Sequence, residues 1–309
     1  MKSDKFTVFT LMCLLLMGSA TQATLLVYDG FVSGGASPNA AAGEYETGTG
    51  YSDDDLIGQN PTISGTTGAW QNDGSGYDST LYYGTQASQM DYVDGNGHSL
   101  VTTTGQLSLQ RTAGSSTDDN NVYRDLAIGN SLPTNMYISM LVRMTPGESF
   151  TFRSASTDGG ASRRFNFGID NTGTTFVTNT LNSNIYLETG TATAAADVTH
   201  LLVVRLRDTG FTNDETTLYL DPILSSEGVN TPDAEVADGN SYVGGNGSWT
   251  LKDMYLRAVA GDAGSSVIID EIRFGTTWED VTPHVIPEPS SFILLTLALG
   301  LFGIFARKK

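Results

Sequence analysis

From residue 24 to about residue 283, apolar residues come in short runs that alternate with polar ones. Clusters of Gly, Asn, Asp, Ser and Thr separate the runs. This pattern predicts β-strands joined by turns, and no stretch in this range has the 3.6-residue period of an amphipathic helix. The expected strands are 25–28, 99–103, 106–111, 136–144, 149–153, 164–169, 175–178, 184–188, 200–207, 216–220, 251–258 and 267–274. Three runs alternate clearly enough to assign faces, because successive side chains on a strand point oppositely. Ile138, Met140, Val142 and Met144 share one face, against Tyr137, Ser139, Leu141 and Arg143. Leu202, Val204 and Leu206 oppose Leu201, Val203, Arg205 and Arg207. Ile268, Asp270, Ile272 and Phe274 oppose Val267, Ile269, Glu271 and Arg273. One apolar and one mixed face per strand suits two packed antiparallel sheets, an all-β sandwich. Residues 33–80 have few apolar runs and read as long irregular loops. With no linker and no repeat, residues 24–284 read as one domain.

The two ends follow a different pattern. Lys2 and Lys5 precede an apolar run from Phe6 to Met17, followed by small residues up to Ala23. That order is a secretory signal over residues 1–23, and about 12 apolar residues are too few for a spanning helix. At the other end, Ile286-Pro287-Glu288-Pro289 leads into an apolar stretch from Phe292 to Ala306, closed by Arg307-Lys308-Lys309. Fifteen residues make a helix of about 22 Å at 1.5 Å per residue. That is a short transmembrane helix whose basic end stays in the cytoplasm.

Composition narrows the partners. Cys13, the only cysteine, lies in the signal, so the mature body has neither disulfide nor thiolate metal site. Without residues 1–23 and 290–309 the body sets 11 basic residues against 33 acidic ones, a net of −22. A field of that sign repels nucleic acid and anionic lipid, and neither is an expected partner of the body.

The order Pro287-Glu288-Pro289, short apolar helix and basic end resembles the PEP-CTERM sorting signal of Gram-negative bacteria, over residues 285–309. The resemblance implies export through a secretion translocon, an inner-membrane-anchored precursor, and processing by an exosortase-type enzyme. Pro287, Glu288 and Pro289 would then be its recognition element, and the body would pass to the envelope or extracellular matrix. The opening Leu25-Leu26-Val27-Tyr28-Asp29-Gly30-Phe31 and the closing run from Ile268 to Trp278 are similar to the first and last strands of laminin-G-like, concanavalin-type jelly rolls. That resemblance implies a two-sheet antiparallel jelly-roll sandwich with its first and last strands side by side.

Candidate chemistry is sparse. Asp270 falls at an apolar-face position, where an unpaired carboxylate is costly. With Asp29 on the neighbouring strand and backbone carbonyls, it would suit a structural Ca²⁺; otherwise it accepts backbone N–H bonds at a bulge or turn. The acidic runs 53–55, 91–94 and 118–121 read as turns or cation loops, without EF-hand spacing. Trp70, Tyr82 and Tyr83, in or beside the irregular loops, either stack on sugar rings or pack the loops onto a sheet. No catalytic signature appears. His98, His200 and His284 have no zinc spacing, and there is no Gly-x-Ser-x-Gly. Ile269-Asp270-Glu271-Ile272 lacks the first Glu of the Glu-x-Asp-x-x-Glu strand motif of jelly-roll glycosidases. The expectation is a non-catalytic, exported surface or matrix protein that needs no cofactor, except where Ca²⁺ is bound, and takes polysaccharide as its ligand. The alternative is a glycosidase or lyase on the same sandwich.

Overall fold

The computed structural model describes residues 25–31, 56, 58, 60, 63–72, 78–82, 89–110, 120–128, 134–155, 164–181, 184–207, 215–237, 251–259 and 265–285. The signal segment, the apolar segment from Phe292 to Ala306, the sorting residues Pro287, Glu288 and Pro289, Tyr83 and the acidic run 53–55 lie outside them.

Two antiparallel sheets carry the fold. The first contains β1 (Leu25–Asp29), β3 (Asp78–Tyr82), β5 (Gln106–Gln110), β7 (Asn135–Met144), β12 (His200–Arg207), β13 (Glu215–Leu220), β14 (Ala234–Ala237) and β16 (Ser266–Gly275). Its order is β14-β13-β12-β7-β16-β5-β3, with β1 also against β16. The second contains β2 (Thr66–Asn72), β6 (Asn120–Leu126), β8 (Ser149–Ala155), β9 (Arg164–Ile169), β10 (Thr174–Leu181), β11 (Asn184–Thr193) and β15 (Asp253–Val259), in the order β11-β10-β9-β8-β15-β6-β2. A two-stranded ladder joins β4 (Ser99–Leu100) to β17 (His284–Val285), and one short helix, α1 (Trp278–Val281), follows β16.

The expected two-sheet antiparallel sandwich is the observed fold, and the alternation of β7 and β12 holds. Ile138, Met140, Val142, Met144, Leu202, Val204 and Leu206 enter the core between the sheets. From the other side come Trp70, Val122, Phe150, Phe152, Phe165, Phe167 and Leu256. Phe152 stacks on Phe167 at 4.9 Å and reaches Phe274 of the opposite sheet at 6.0 Å. Truncating one such ring to Ala removes about 3–5 kcal/mol.

The other faces of β7 and β12 are also buried, which explains their nearly unbroken apolar sequence. Tyr137, Leu141, Leu201, Val203 and Tyr219 form a second cluster with Met90, Tyr92, Leu100, Leu224, Trp278 and Val281. Trp278 anchors this cover. Its Nε1 donates to the Leu224 carbonyl at 2.8 Å, and Tyr137 and Tyr219 meet its ring edge-on. Both tyrosine hydroxyls donate to Glu227 at 2.8 Å. The outer face of the first sheet is therefore covered over β7, β12 and β13.

Three expectations need correction. The run 33–80, read as irregular, contains β2 and β3, whose polar and Gly-containing sequences pair because a partner strand is at hand. The acidic run 118–121 likewise gives Asn120 and Asn121 to β6. On β16 the alternation breaks at a bulge: the register against β7 shifts between Asp270 and Arg273, and Glu271 takes φ 56°. Val267, Ile269, Ile272 and Phe274 face the main core, while Ile268 packs on the second cluster. The bulge thus moves Asp270 off the face of Ile272 and Phe274.

Candidate functional site

Asp270 and Asp29 leave different faces of the first sheet, although the charge of Asp29 still reaches Asp270. Asp29 pairs with Ile272, a residue of the main core, whereas Asp270 pairs with Leu141 of the second cluster, so they lie on opposite faces of the first sheet. Asp29 Oδ1 accepts the backbone N–H of Phe31 at 3.0 Å. Asp270 is fully buried; its Oδ1 accepts the N–H of Glu271 at 2.8 Å, and its Oδ2 has no hydrogen-bond partner. Burial, and then the negative charge of Glu271, push the Asp270 carboxyl well above the usual carboxylate range. Glu271 occupies the gap where β16 exchanges β5 for β1 as its neighbour. It accepts from Arg273 at 2.5 Å and from the backbone N–H and hydroxyl of Thr103, tying the covering segment to the sheet. Among the described residues no three His, Cys, Asp or Glu side chains are grouped to hold a metal. The arrangement at Asp270 is a buried acid beside an ion pair, at the bulge that the sequence left open as one of two readings.

Trp70 is fully buried and packs beside Phe31, with ring centroids 6.3 Å apart. It is part of the core, and its ring is not offered to a sugar. Tyr82 ends β3 opposite Gln106, its side chain outside the described residues together with all of Tyr83.

The outer face of the second sheet carries chemistry that the sequence reading did not single out. Met254, Leu256 and Ala258 of β15 point inward, so Asp253, Tyr255 and Arg257 leave the opposite face, where Tyr255 is nonetheless buried between Tyr123 and Arg153. In the same way Val122 and Leu126 turn Tyr123 and Asp125 outward, and Phe150 and Phe152 do so for Thr151 and Arg153. The strand registers then align one row across all seven strands: Gln71, Tyr123, Tyr255, Arg153, Asn166, Thr178 and Leu187. At roughly 4.8 Å per strand this row runs nearly 30 Å.

The row is ordered at its centre. Tyr123 and Tyr255 stack at 6.2 Å with 16° between their planes, and the Arg153 guanidinium lies 4.9 Å over the Tyr255 ring. The Tyr123 hydroxyl donates to Gln71 Oε1 at 2.9 Å. A parallel row brings Arg257 opposite Thr151, and Asp253 sits opposite Asp125. The partly exposed Tyr123 ring, the guanidinium groups and the amides of these rows are chemically able to meet sugar rings and their hydroxyl or carboxylate groups. None of the three histidines lies here: His200 is on β12, and His98 and His284 flank the small ladder. The sequence signal was the alternation of Tyr255 and Arg257 with Met254 and Leu256; what aligns them with Tyr123 and Arg153 is register.

Comparison with known proteins gives one family match. Residues 285–309 match the PEP-CTERM protein-sorting motif, which implies an exported, membrane-anchored precursor sorted to the cell envelope and processed by an exosortase-type enzyme. No curated protein matches the chain. Among solved structures, the chain is similar to the endo-β-1,4-glucuronan lyase of the fungus Trichoderma reesei, at 16% identity over 69% of this chain and 97% of that one, TM-score 0.41. The PL-14 alginate lyase of Aplysia kurodai is similar at 9% identity over 63% and 90%, TM-score 0.43. The Bacillus licheniformis β-glucanase is similar at 11% identity over 69% and 99%, TM-score 0.39. In sum, the chain is a two-sheet antiparallel β-sandwich that ends in a PEP-CTERM sorting motif.

Proposed function

We propose that this protein is an exported surface or matrix protein whose sandwich binds polysaccharide along the outer face of its second sheet. The observation that carries this reading is the in-register row from Gln71 through Tyr123, Tyr255 and Arg153 to Asn166, on that face. Sugar rings stack on Tyr123, whose ring the buried Tyr255 holds in place. Arg153, with Arg257 in the adjacent row, bonds ring hydroxyls or uronate carboxylates. The cleaved signal at residues 1–23 and the membrane helix at 292–306 belong to the same reading, as the means by which the body reaches the envelope or matrix.

Affinity electrophoresis through gels holding neutral or uronic-acid polysaccharides tests the binding. The wild-type chain should be retarded by at least one of them, and Tyr255→Ala should migrate as it does in an empty gel. Equal retardation of both would place the ligand elsewhere.

One observation favours a second reading. Asp253 and Asp125 face each other on adjacent strands, which sets their Cβ atoms about 5 Å apart, compatible with the carboxyl separation of retaining glycosidases. A hydrolase would release reducing ends from a bound polysaccharide and stop doing so in Asp253→Asn. A binding protein retains the glycan without release.

A further inference from the structure

The chain has three histidines, and the structure treats them differently. Both ring nitrogens of His200 are engaged: Nδ1 with Asp221 at 2.6 Å and Nε2 with the Ala195 carbonyl at 3.0 Å. His98 and His284 are far apart in sequence, yet their rings lie 5.2 Å apart at 48°. The short ladder brings them together, because β4 begins one residue after His98 and pairs with β17, which begins at His284. Each ring has Nδ1 fixed and Nε2 free of hydrogen bonds among the described residues. His98 Nδ1 is 2.8 Å from Asp94 Oδ2, and His284 Nδ1 is 2.9 Å from the Thr282 carbonyl.

Those partners decide the tautomer. A carbonyl oxygen only accepts, and so does an ionised carboxylate. In the neutral rings Nδ1 is therefore the protonated nitrogen, which leaves Nε2 as the one able to ligate. An imidazole whose far nitrogen is oriented by a carboxylate or a carbonyl is the usual form of a metal-ligating histidine. Asp94 is itself rigidly placed: Oδ1 accepts from the N–H groups of Asn96 and His98, and Oδ2 also accepts from Leu224.

The spacing fits as well. With metal–nitrogen bonds of about 2.0 Å and a tetrahedral angle, two imidazoles sharing one ion have ring centres about 5 Å apart. Both rings are partly exposed, so an ion has access from solvent. The chain's formal charge of −18 raises the local concentration of cations.

We propose that His98 and His284 form a two-imidazole site for a divalent first-row transition cation, Zn²⁺ in the first instance, with Asp94 and the Thr282 carbonyl as the groups that orient the ligands. Imidazole selects such ions over Ca²⁺ and Mg²⁺, which prefer oxygen. With no third His, Cys, Asp or Glu grouped there among the described residues, water fills the remaining positions and the ion exchanges readily. Its structural effect is local. It fastens the strand of His284, three residues ahead of Pro287, to the loop of His98, and so stiffens the root of the sorting motif.

The test is Zn²⁺ titration calorimetry on the full chain in detergent, with excess Mg²⁺ to occupy acidic loops. One Zn²⁺ should bind, and His98→Gln and His284→Gln should each weaken it at least about tenfold, judged against the 10–100-fold typical of losing an orienting partner alone. His200→Gln should bind as wild type. Electron paramagnetic resonance of the Cu²⁺-loaded wild-type chain gives a reading that needs no variant to fold, since it counts coordinated imidazole nitrogens. Two are expected. Fewer than two, or unchanged Zn²⁺ affinity in folded His98→Gln and His284→Gln, overturns the site.

Discussion

Replacing Asp270 with Asn isolates the buried acid at the β16 bulge. Asp270 is fully buried, its Oδ2 has no partner, and Glu271 lies beside it, so the folded chain favours the protonated acid. The sign follows from linkage. The folded-state carboxyl titrates above its unfolded value, so at low pH both states hold the proton and the group is neutral toward stability. As pH rises past about 4 the unfolded carboxyl ionises while the folded one does not, and stability falls by up to about 1.4 kcal/mol per pH unit until the folded group titrates. Asn keeps the Oδ1 acceptor for Glu271 N–H and removes the titration. Its amide leaves a donor unpaired where Oδ2 stands, as the O–H of the protonated acid already does, so the two chains start close in stability at low pH. The observable is thus a difference in slope. Urea unfolding followed by tryptophan fluorescence, with Trp70 and Trp278 buried as reporters, gives both curves. Asp270→Asn should lie close to wild type below about pH 4 and should gain steadily on it as pH rises from there. Parallel curves would refute the reasoning. So would a wild type that gains stability from added Ca²⁺ while the variant does not, since a bound ion would hold Asp270 ionised.

Trp70→Ala should lose about 3–5 kcal/mol in the same unfolding assay, yet leave polysaccharide retention by the remaining folded protein unchanged, because the ring fills the core. For His200, burial disfavours the charged form, but the hydrogen bond and charge of Asp221 outweigh it and raise its pKa. Its contribution is therefore complete below the unfolded value near 6.5 and is lost as pH rises through the folded one, so His200→Gln should destabilise more at about pH 5 than at about pH 9 in thermal melts. Mass spectrometry of the protein from its native cell surface should find both residues 1–23 and the apolar segment after Pro289 missing; an intact C-terminus would show a plain tail anchor instead.

Strands buried on one or both faces were legible from sequence because their apolar residues declare themselves. The strands at 164–169 and 200–207 appear with the expected bounds, and β7 and β12 have the expected faces. Strands whose residues are polar were hidden. In Thr66–Asn72 and Asp78–Tyr82 the strand-favouring Thr66, Thr67, Trp70, Thr80 and Tyr82 are diluted by Gly68, Asn72, Asp78 and Ser79, and pairing with partner strands tips them to extension. The face of Asp270 was misjudged because a single bulged residue, Glu271, reverses every alternation beyond it. The outer row of the second sheet stayed invisible for a related reason. Tyr123, Arg153 and Tyr255 lie on three strands separated in sequence, and register is set by pairing that one chain does not display. The His98–His284 contact was hidden likewise, resting on a two-residue ladder.

Backbone hydrogen exchange, read by mass spectrometry with and without a polysaccharide that retards the protein, locates the bound glycan directly. Slowed exchange should centre on residues 121–125, 151–153, 166 and 253–257. Slowing confined to the covered first sheet around residues 137–141 and 201–205, with none on those strands, would contradict a glycan surface on the second sheet.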